Sequence, residues 1–346
     1  MTISIARFLE TEEPITRLTL RGWVHRLDAL RAYYPDGFDG PLDVSAPQHR
    51  LSMLQWTAQA LNLHGFPGKA ISMFERHDEE CAEHGSELQL ASSLAQHGKS
   101  LRQAGRFREA DSKNRHALAL LGDASEGPAL LVRAVTLTWH GMALAHRGAD
   151  EESELCFKDA LAILASQFAE SHKAVVAVFL AQRFLWLDDP EASLAQAELA
   201  WSIAWPLESD RSHLDKWGTR KITASAARNR GESLVRLGRI DEGRSWLSQA
   251  HAMAAEVCFV EEIIPGIRAQ AIAARLGGNV DHARDLLTKI WSLTAAGPYP
   301  IYESDARRES AVLFDSVGQP EQAEAERTLA RNLAHADGPP FSFQLR

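Results

Sequence analysis

Apolar residues recur along this chain at the three- and four-residue spacing of one helix face, and glycines interrupt that pattern at regular intervals. Taking Gly105 as a ruler, a small residue stands seven positions before it (Gly98) and another five after it (Ala110). The same ruler finds Ala58 and Ala70 around Gly65, Gly141 and Ser153 around Gly148, and Gly231 and Gly243 around Gly238. It finds Ala271 and Ala283 around Gly278, and Ala311 and Ala323 around Gly318. One interval breaks the rule: Leu187 stands in the turn, with Leu180 before it and Ser193 after it. Four residues before the turns stand Leu61, Leu101, Leu144, Leu234, Ala274 and Phe314, with Arg183 as the exception. Twelve after stand Ala117, Ala160, Leu199, Ala250, Ile290 and Ala330, with His77 as the exception. Each interval reads as two antiparallel helices that approach through their small residues, with a left-handed glycine ending the first. The expectation is an all-α chain of about seven such pairs.

The order Gly98, Leu101, Gly105, Ala110, Ala117, echoed by Gly141, Leu144, Gly148, Phe157, Ala160, resembles the tetratricopeptide repeat (TPR). The resemblance covers roughly residues 50–335. It departs from the TPR pattern in three ways. The proline closing the second helix is missing, Leu54, Leu94 and Leu137 replace the early tryptophan, and the turns recur about every 40 residues rather than 34. Longer helices or loops must absorb the difference. A period near 40, together with Gly338-Pro339-Pro340-Phe341 near the end, also resembles the C-terminal sensor arrays of bacterial STAND-type signalling ATPases. The resemblance implies a superhelical TPR-like α-solenoid, right-handed, whose first helices line a concave binding groove. Trp205 to His213, with Pro206, reads as a polar loop that marks a protrusion or a seam.

Three segments follow. Residues 1–47 form an N-terminal helical cap or docking segment, with a helix opened by Pro14 and a turn at Tyr34-Pro35-Asp36-Gly37. Residues 48–337 are the array, and 338–346 a Gly-Pro-Pro-Phe tail. Composition limits the function. Hydrophobic residues are 45% of the chain, enough for a core, and a net charge of −9 disfavours a mainly electrostatic nucleic-acid binder. No apolar run reaches membrane-spanning length and no secretory leader is evident, so a cytoplasmic protein is expected. Three scattered cysteines make no disulfide framework.

Catalytic chemistry is not legible. Gly98-Lys99-Ser100 ends like a P-loop, but Ser93 stands where the first glycine belongs, and Ala70 spoils the segment ending at Lys69. No nucleophile elbow or cofactor motif occurs. His77, Cys81 and His84 share a helix face, which leaves a metal site or an enzyme near the first repeat as one alternative. The main expectation is non-enzymatic binding of a protein or peptide segment. TPR groove positions select Gln55, Gln59, Asn62, Lys99, Arg102, Arg228, Glu232, Arg268, Arg275 and Arg308, with Asp305 beside them. That arginine-rich set suits an acidic or phosphorylated ligand. A small-molecule sensor, a helical-repeat RNA binder and an adaptor that dimerises through its convex face or N-terminal region are the remaining alternatives. No cofactor is expected.

Overall fold

The computed structural model describes residues 22–334, apart from 64, 125, 167–168, 210–215, 257–259 and 297–298. Among them are fifteen helices and no strand. Helix α1 (Gly22–Arg31) precedes seven antiparallel pairs. These are α2 (Pro47–Leu63) with α3 (Pro67–His84), α4 (Glu87–Gln103) with α5 (Phe107–Leu121), and α6 (Gly127–Arg147) with α7 (Asp150–Ser166). Then come α8 (Glu170–Trp186) with α9 (Pro190–Ser209), and α10 (Lys216–Arg236) with α11 (Ile240–Glu256). The last two are α12 (Val260–Leu276) with α13 (Val280–Ala296), and α14 (Pro300–Ser316) with α15 (Pro320–Ala334). The 40-residue period is absorbed by helix length, since most helices run 17 residues and α6 and α10 run 21.

Local chemistry sets the boundaries. Ser86 caps α4 in a reciprocal capping box with Gln89, and three acids open α7, where the helix dipole favours them. The six turn glycines all have positive φ. The fourth turn corrects the sequence reading. Its left-handed residue is Asp188 (φ 58°), one position after Leu187. Asp188 N–H donates to Leu185 O, and Asp189 N–H to Phe184 O, matching the bonds at Gly105. Counted from Asp188, the small pair is Ala181 and Ser193, both fully buried, and the later packing position is Ala200 rather than the exposed Leu199. The fourth repeat is therefore regular; aspartate simply tolerates the conformation that glycine supplies elsewhere. Pro206 also differs from expectation. It lies inside α9, which continues to Ser209, so the segment from Trp205 is helical up to there; the rest of that predicted loop lies outside the described residues.

Small residues bring the helices together as the ruler requires. A Cβ on Gly231 would stand 2.8 Å from Leu247 Cγ and 3.0 Å from Gly243 O, and Ser153 Oγ donates to Gly141 O at 2.8 Å. At the N-terminal end, Leu27, Leu30, Tyr33 and Tyr34 pack with Met53, Leu54 and Phe74, and Gly37 turns the chain with φ 84°. The predicted Pro14 helix start, residues 1–21 and the Gly-Pro-Pro-Phe tail lie outside the described residues.

The first helices of successive pairs touch one another, from α4 to α14, and so form a continuous inner wall. The array curls far enough for its ends to meet. Gln103 of α4 hydrogen-bonds Glu261 of α12, and Phe107, Ile301 and Ala334 share one apolar cluster. A Cβ on Gly105 would stand 2.6 Å from Pro300 Cγ, so this turn needs glycine for both its φ of 77° and the passage of the seventh repeat.

Candidate ligand-binding site

Curling forms a cavity of about 240 Å³ lined by α4, α6, α8, α10, α12 and α14. Its lining residues fall about 3, 6, 9–10, 13 and 16–17 positions before each turn, a single stripe of helical period. Arg102, Lys99, Arg228 and Arg268 of the expected set lie on it, with Asp305. Arg308 lines a neighbouring space of about 580 Å³ that shares Arg268 and Asp305. Gln55, Gln59, Asn62, Glu232 and Arg275 line neither space. Asn62 donates to Gln103 Oε1 at 2.6 Å and belongs to the contact that joins the ends of the array.

The arginines of the later repeats are already occupied. Arg228 Nη1 donates to Gln182 Oε1 at 2.6 Å, and its Nε donates to Glu262 at 3.2 Å. Arg268 Nη2 reaches both oxygens of Glu232 at 2.9 Å, and Arg236 reaches the same carboxylate at 2.8 Å. Burial alone would raise Glu232, but Arg268 and Arg236 hold it down at about 2. Arg275 Nε donates to Glu309 at 2.5 Å. Lys221 pairs with Glu261. Arg102 and Arg228 are each only 6% exposed, so both are held within the wall rather than standing free on its surface.

Lys99 and Arg102 differ. No carboxylate among the described residues lies within ion-pair distance of either. The Nε of Arg102 is buried without a hydrogen-bond partner. Lys99 Nζ stands 5.0 Å from the Trp139 ring, a cation–π contact. Burial, with Arg102 adding to it, lowers Lys99 to about 8. Beside them lie Met142, Phe179 and Trp186, with Trp139 edge-on to Phe179 at 5.2 Å. His146 sits between Phe107 and Trp186, and burial pushes it down to about 3, so it stays neutral and donates from Nδ1 to Met142 O at 2.7 Å. These apolar groups, and the helix-start residues Lys221, Glu261 and Glu262, were missed from sequence. Extending the groove stripe two turns toward each helix start would have found Lys221, Glu261 and Glu262.

The histidine–cysteine clusters lie away from this cavity. His77 Nδ1 and Ser93 Oγ are 2.7 Å apart, Ser93 donates to Asp78 at 2.5 Å, and His97 and Lys113 bond the other Asp78 oxygen. Cys81 approaches His77 at 3.5 Å, whereas His84 is turned toward Glu80 and Glu83. Among the described residues no group of three or more His, Cys, Asp or Glu is arranged to hold a metal. A second cluster aligns Cys156, His140 and Asp111, with contacts of 3.8 and 2.7 Å. Neither thiol is activated: burial pushes Cys81 up to about 12 and Cys156 up to about 11. No helix of the described residues is long and apolar enough to cross a membrane.

No protein-family model and no curated protein matches the sequence. Solved structures do match the fold. A Rap protein complexed with competence and sporulation factor aligns over 96% of this chain and 87% of its own, with TM-score 0.65 and 13% identity. The Rap conjugation gene regulator of plasmid pLS20, in complex with the Phr* peptide, aligns over 84% and 76%, with TM-score 0.65 and 14% identity. Aspartyl phosphate phosphatase F from Bacillus subtilis aligns over 85% and 73%, with TM-score 0.62 and 9% identity. At such identities the likeness speaks to architecture, and with the seven regular pairs it establishes the chain as a TPR-like helical-repeat protein.

Proposed function

We propose that this protein is a non-enzymatic regulator that captures a short peptide, or an extended segment of a partner protein, in its central cavity. The observation that carries this reading is the cavity itself. One space is walled by the first helices of six successive repeats and combines an aromatic lining with buried charge. An extended peptide meets each helix in turn as it crosses such a space, and apolar pockets with a few fixed polar groups give it orientation. One of the architecturally similar proteins is in complex with the Phr* peptide, and another with competence and sporulation factor. Lys99 and Arg102, with no carboxylate partner among the described residues, favour a ligand with negative charge. Residues 22–46 serve as the cap of the first pair, since Leu30 and Tyr34 cover its apolar end.

Selection from pooled random hexapeptides on the immobilised full chain, read by mass spectrometry, tests this. Specific retention that fills the cavity, seen as a change in tryptophan fluorescence, is the expected result. A chain that retains no peptide while remaining folded contradicts it.

A further inference from the structure

Five of the seven repeats place a buried apolar residue nine positions after the turn: Phe74, Phe157, Ala197, Leu247 and Leu287. The seventh puts Arg327 there, partly exposed at the end of the array. The second puts Asn114 there, fully buried. That position covers the small residue of the first helix. A Cβ on Gly141 would stand 3.2 Å from Phe157 Cζ, and one on Gly231 2.8 Å from Leu247 Cγ, so both glycines face hydrocarbon. A Cβ on Gly98 would stand 2.6 Å from Asn114 Oδ1 and 3.1 Å from its Nδ2, so Gly98 faces an amide. Neither amide atom has a hydrogen-bond partner among the described residues. A buried amide without partners is destabilising, and a departure of this kind in an otherwise regular array marks function rather than packing.

A matching group lies one residue away. His97, next to Gly98, is 1% exposed, and its Nε2 is likewise buried without a partner. Its Nδ1 lies 2.7 Å from Asp78 Oδ2, and Lys113, next to Asn114, reaches the same oxygen at 2.8 Å. Both helices are thus pinned on Asp78 beside the two unsatisfied groups. An ionised carboxylate only accepts, so Nδ1 is the donor, and a neutral His97 leaves Nε2 bare as an acceptor for the Asn114 N–H. A protonated ring would present N–H there instead, which Asn114 Oδ1 can accept.

We propose that Asn114 and His97 form a two-position contact that couples the packing of α4 on α5 to ligand capture. In the present position the amide lies against Gly98. In the second, α4 has shifted against α5 and the amide turns to His97 Nε2. Lys99 follows Gly98 directly and Arg102 lies one turn on, so a shift of α4 carries both cavity-facing cations with it. A ligand that fits the shifted arrangement better selects it, and the hydrogen bond gained behind α4 offsets the packing lost. Asn114 touches no ligand; it is a positioning residue that acts through α4. The ligand arm of this proposal rests on the peptide-binding reading above, whereas the two-position contact itself does not.

The test reads the Asn114 amide and the His97 ring by NMR of the full chain labelled at asparagine and histidine side chains, free and loaded with the random hexapeptide pool. In the free chain Asn114 Nδ2 is expected to exchange with a second state on the millisecond timescale. Loading should move His97 Nε2 to a hydrogen-bonded shift. Asn114→Leu, which installs the residue of the fifth and sixth repeats, should melt a few degrees higher yet retain about fivefold less of the pool. A role in packing alone predicts the first effect without the second. If leucine overpacks the site and the chain fails to fold, Asn114→Ala, matching the fourth repeat, carries the comparison. Unchanged retention in the folded variant overturns the proposal and leaves peptide binding intact. So does an Asn114 signal without exchange, because a buried water then satisfies the amide. If the parent chain retains no peptide, the peptide reading falls, and exchange at Asn114 in the free chain still decides the contact.

Discussion

The second repeat and the fifth and sixth repeats carry the same kind of residue at the same groove positions, yet they do opposite things. In the later repeats each arginine reaches a carboxylate on a neighbouring first helix: Arg228 to Glu262, Arg268 to Glu232, Arg275 to Glu309. Those pairs stitch successive repeats together and leave little charge for a ligand. In the second repeat Lys99 and Arg102 face the cavity beside an aromatic ring, with no carboxylate among the described residues within ion-pair distance. Position in the repeat puts a cation on the concave face, but the neighbouring helix decides whether it is structure or site.

The sharpest way to break this distinction is to remove a counter-ion from the later repeats. Glu232 is fully buried between Arg268 and Arg236, so Glu232→Ala removes the carboxylate of Arg268 and leaves Arg236 with only the exposed Asp188. A loss of about 3–5 kcal/mol is expected in denaturant unfolding. Glu232→Met with Arg268→Met should recover much of it. A smaller stability effect probes the helix contact. In Gly231→Leu the new side chain would meet Leu247 and the backbone of Gly243, which predicts a loss of about 1–3 kcal/mol.

Acid should act next. Burial holds His146 at about 3 and His77 at about 4 in the folded chain, below their ordinary value of 6.5. Between those values the unfolded chain binds more protons, so stability present above pH 6.5 is lost as pH falls through that window. His146→Gln should flatten the pH dependence of the melting temperature between pH 6.5 and 4. Alkali acts on the ligand rather than the fold. Lys99 is faced by Arg102 on its own helix, Lys221 of α10 and Glu262 of α12, and burial outweighs the carboxylate to leave it at about 8. Affinity for an anionic ligand should therefore fall severalfold as pH rises from 7 to 9, and Lys99→Gln should remove that slope. The smallest effect is expected at Gln55 and Gln59, which line neither cavity. Their alanine variants should stay within about 0.5 kcal/mol of the parent and bind peptide equally.

The architecture was readable because a left-handed turn between two close helices restricts residue choice at three positions together. The fourth repeat was misread only because the ruler demanded glycine where Asp188 serves. The site was half readable. Helical period put Lys99, Arg102, Arg228 and Arg268 on the concave face, but it also admitted Glu232 and Arg275, whose side chains are taken up by neighbouring repeats. A usable signal was present nonetheless. Each occupied arginine finds its acid 34–36 residues away, one first helix along. The same step from Lys99 and Arg102 meets Arg133 to Thr138 in one direction and Leu63 to Gly68 in the other, with no acid among them. What no single repeat encodes is how far the array curls. That depends on contacts such as Gln103 to Glu261 and Gly105 against Pro300, which join residues too distant in sequence for any periodicity to relate.

The central claim is that anion recognition belongs to the cations lacking a counter-ion. It is tested most directly by comparing Arg102→Gln with Arg275→Gln for retention of the random hexapeptide pool. Arg275→Gln should melt earlier, because Glu309 loses its partner, yet retain peptides like the parent chain. Arg102→Gln should remain folded and lose most of that retention. If Arg102→Gln binds as the parent does and Arg275→Gln does not, the recognition site lies among the later arginines and the assignment to the second repeat is wrong.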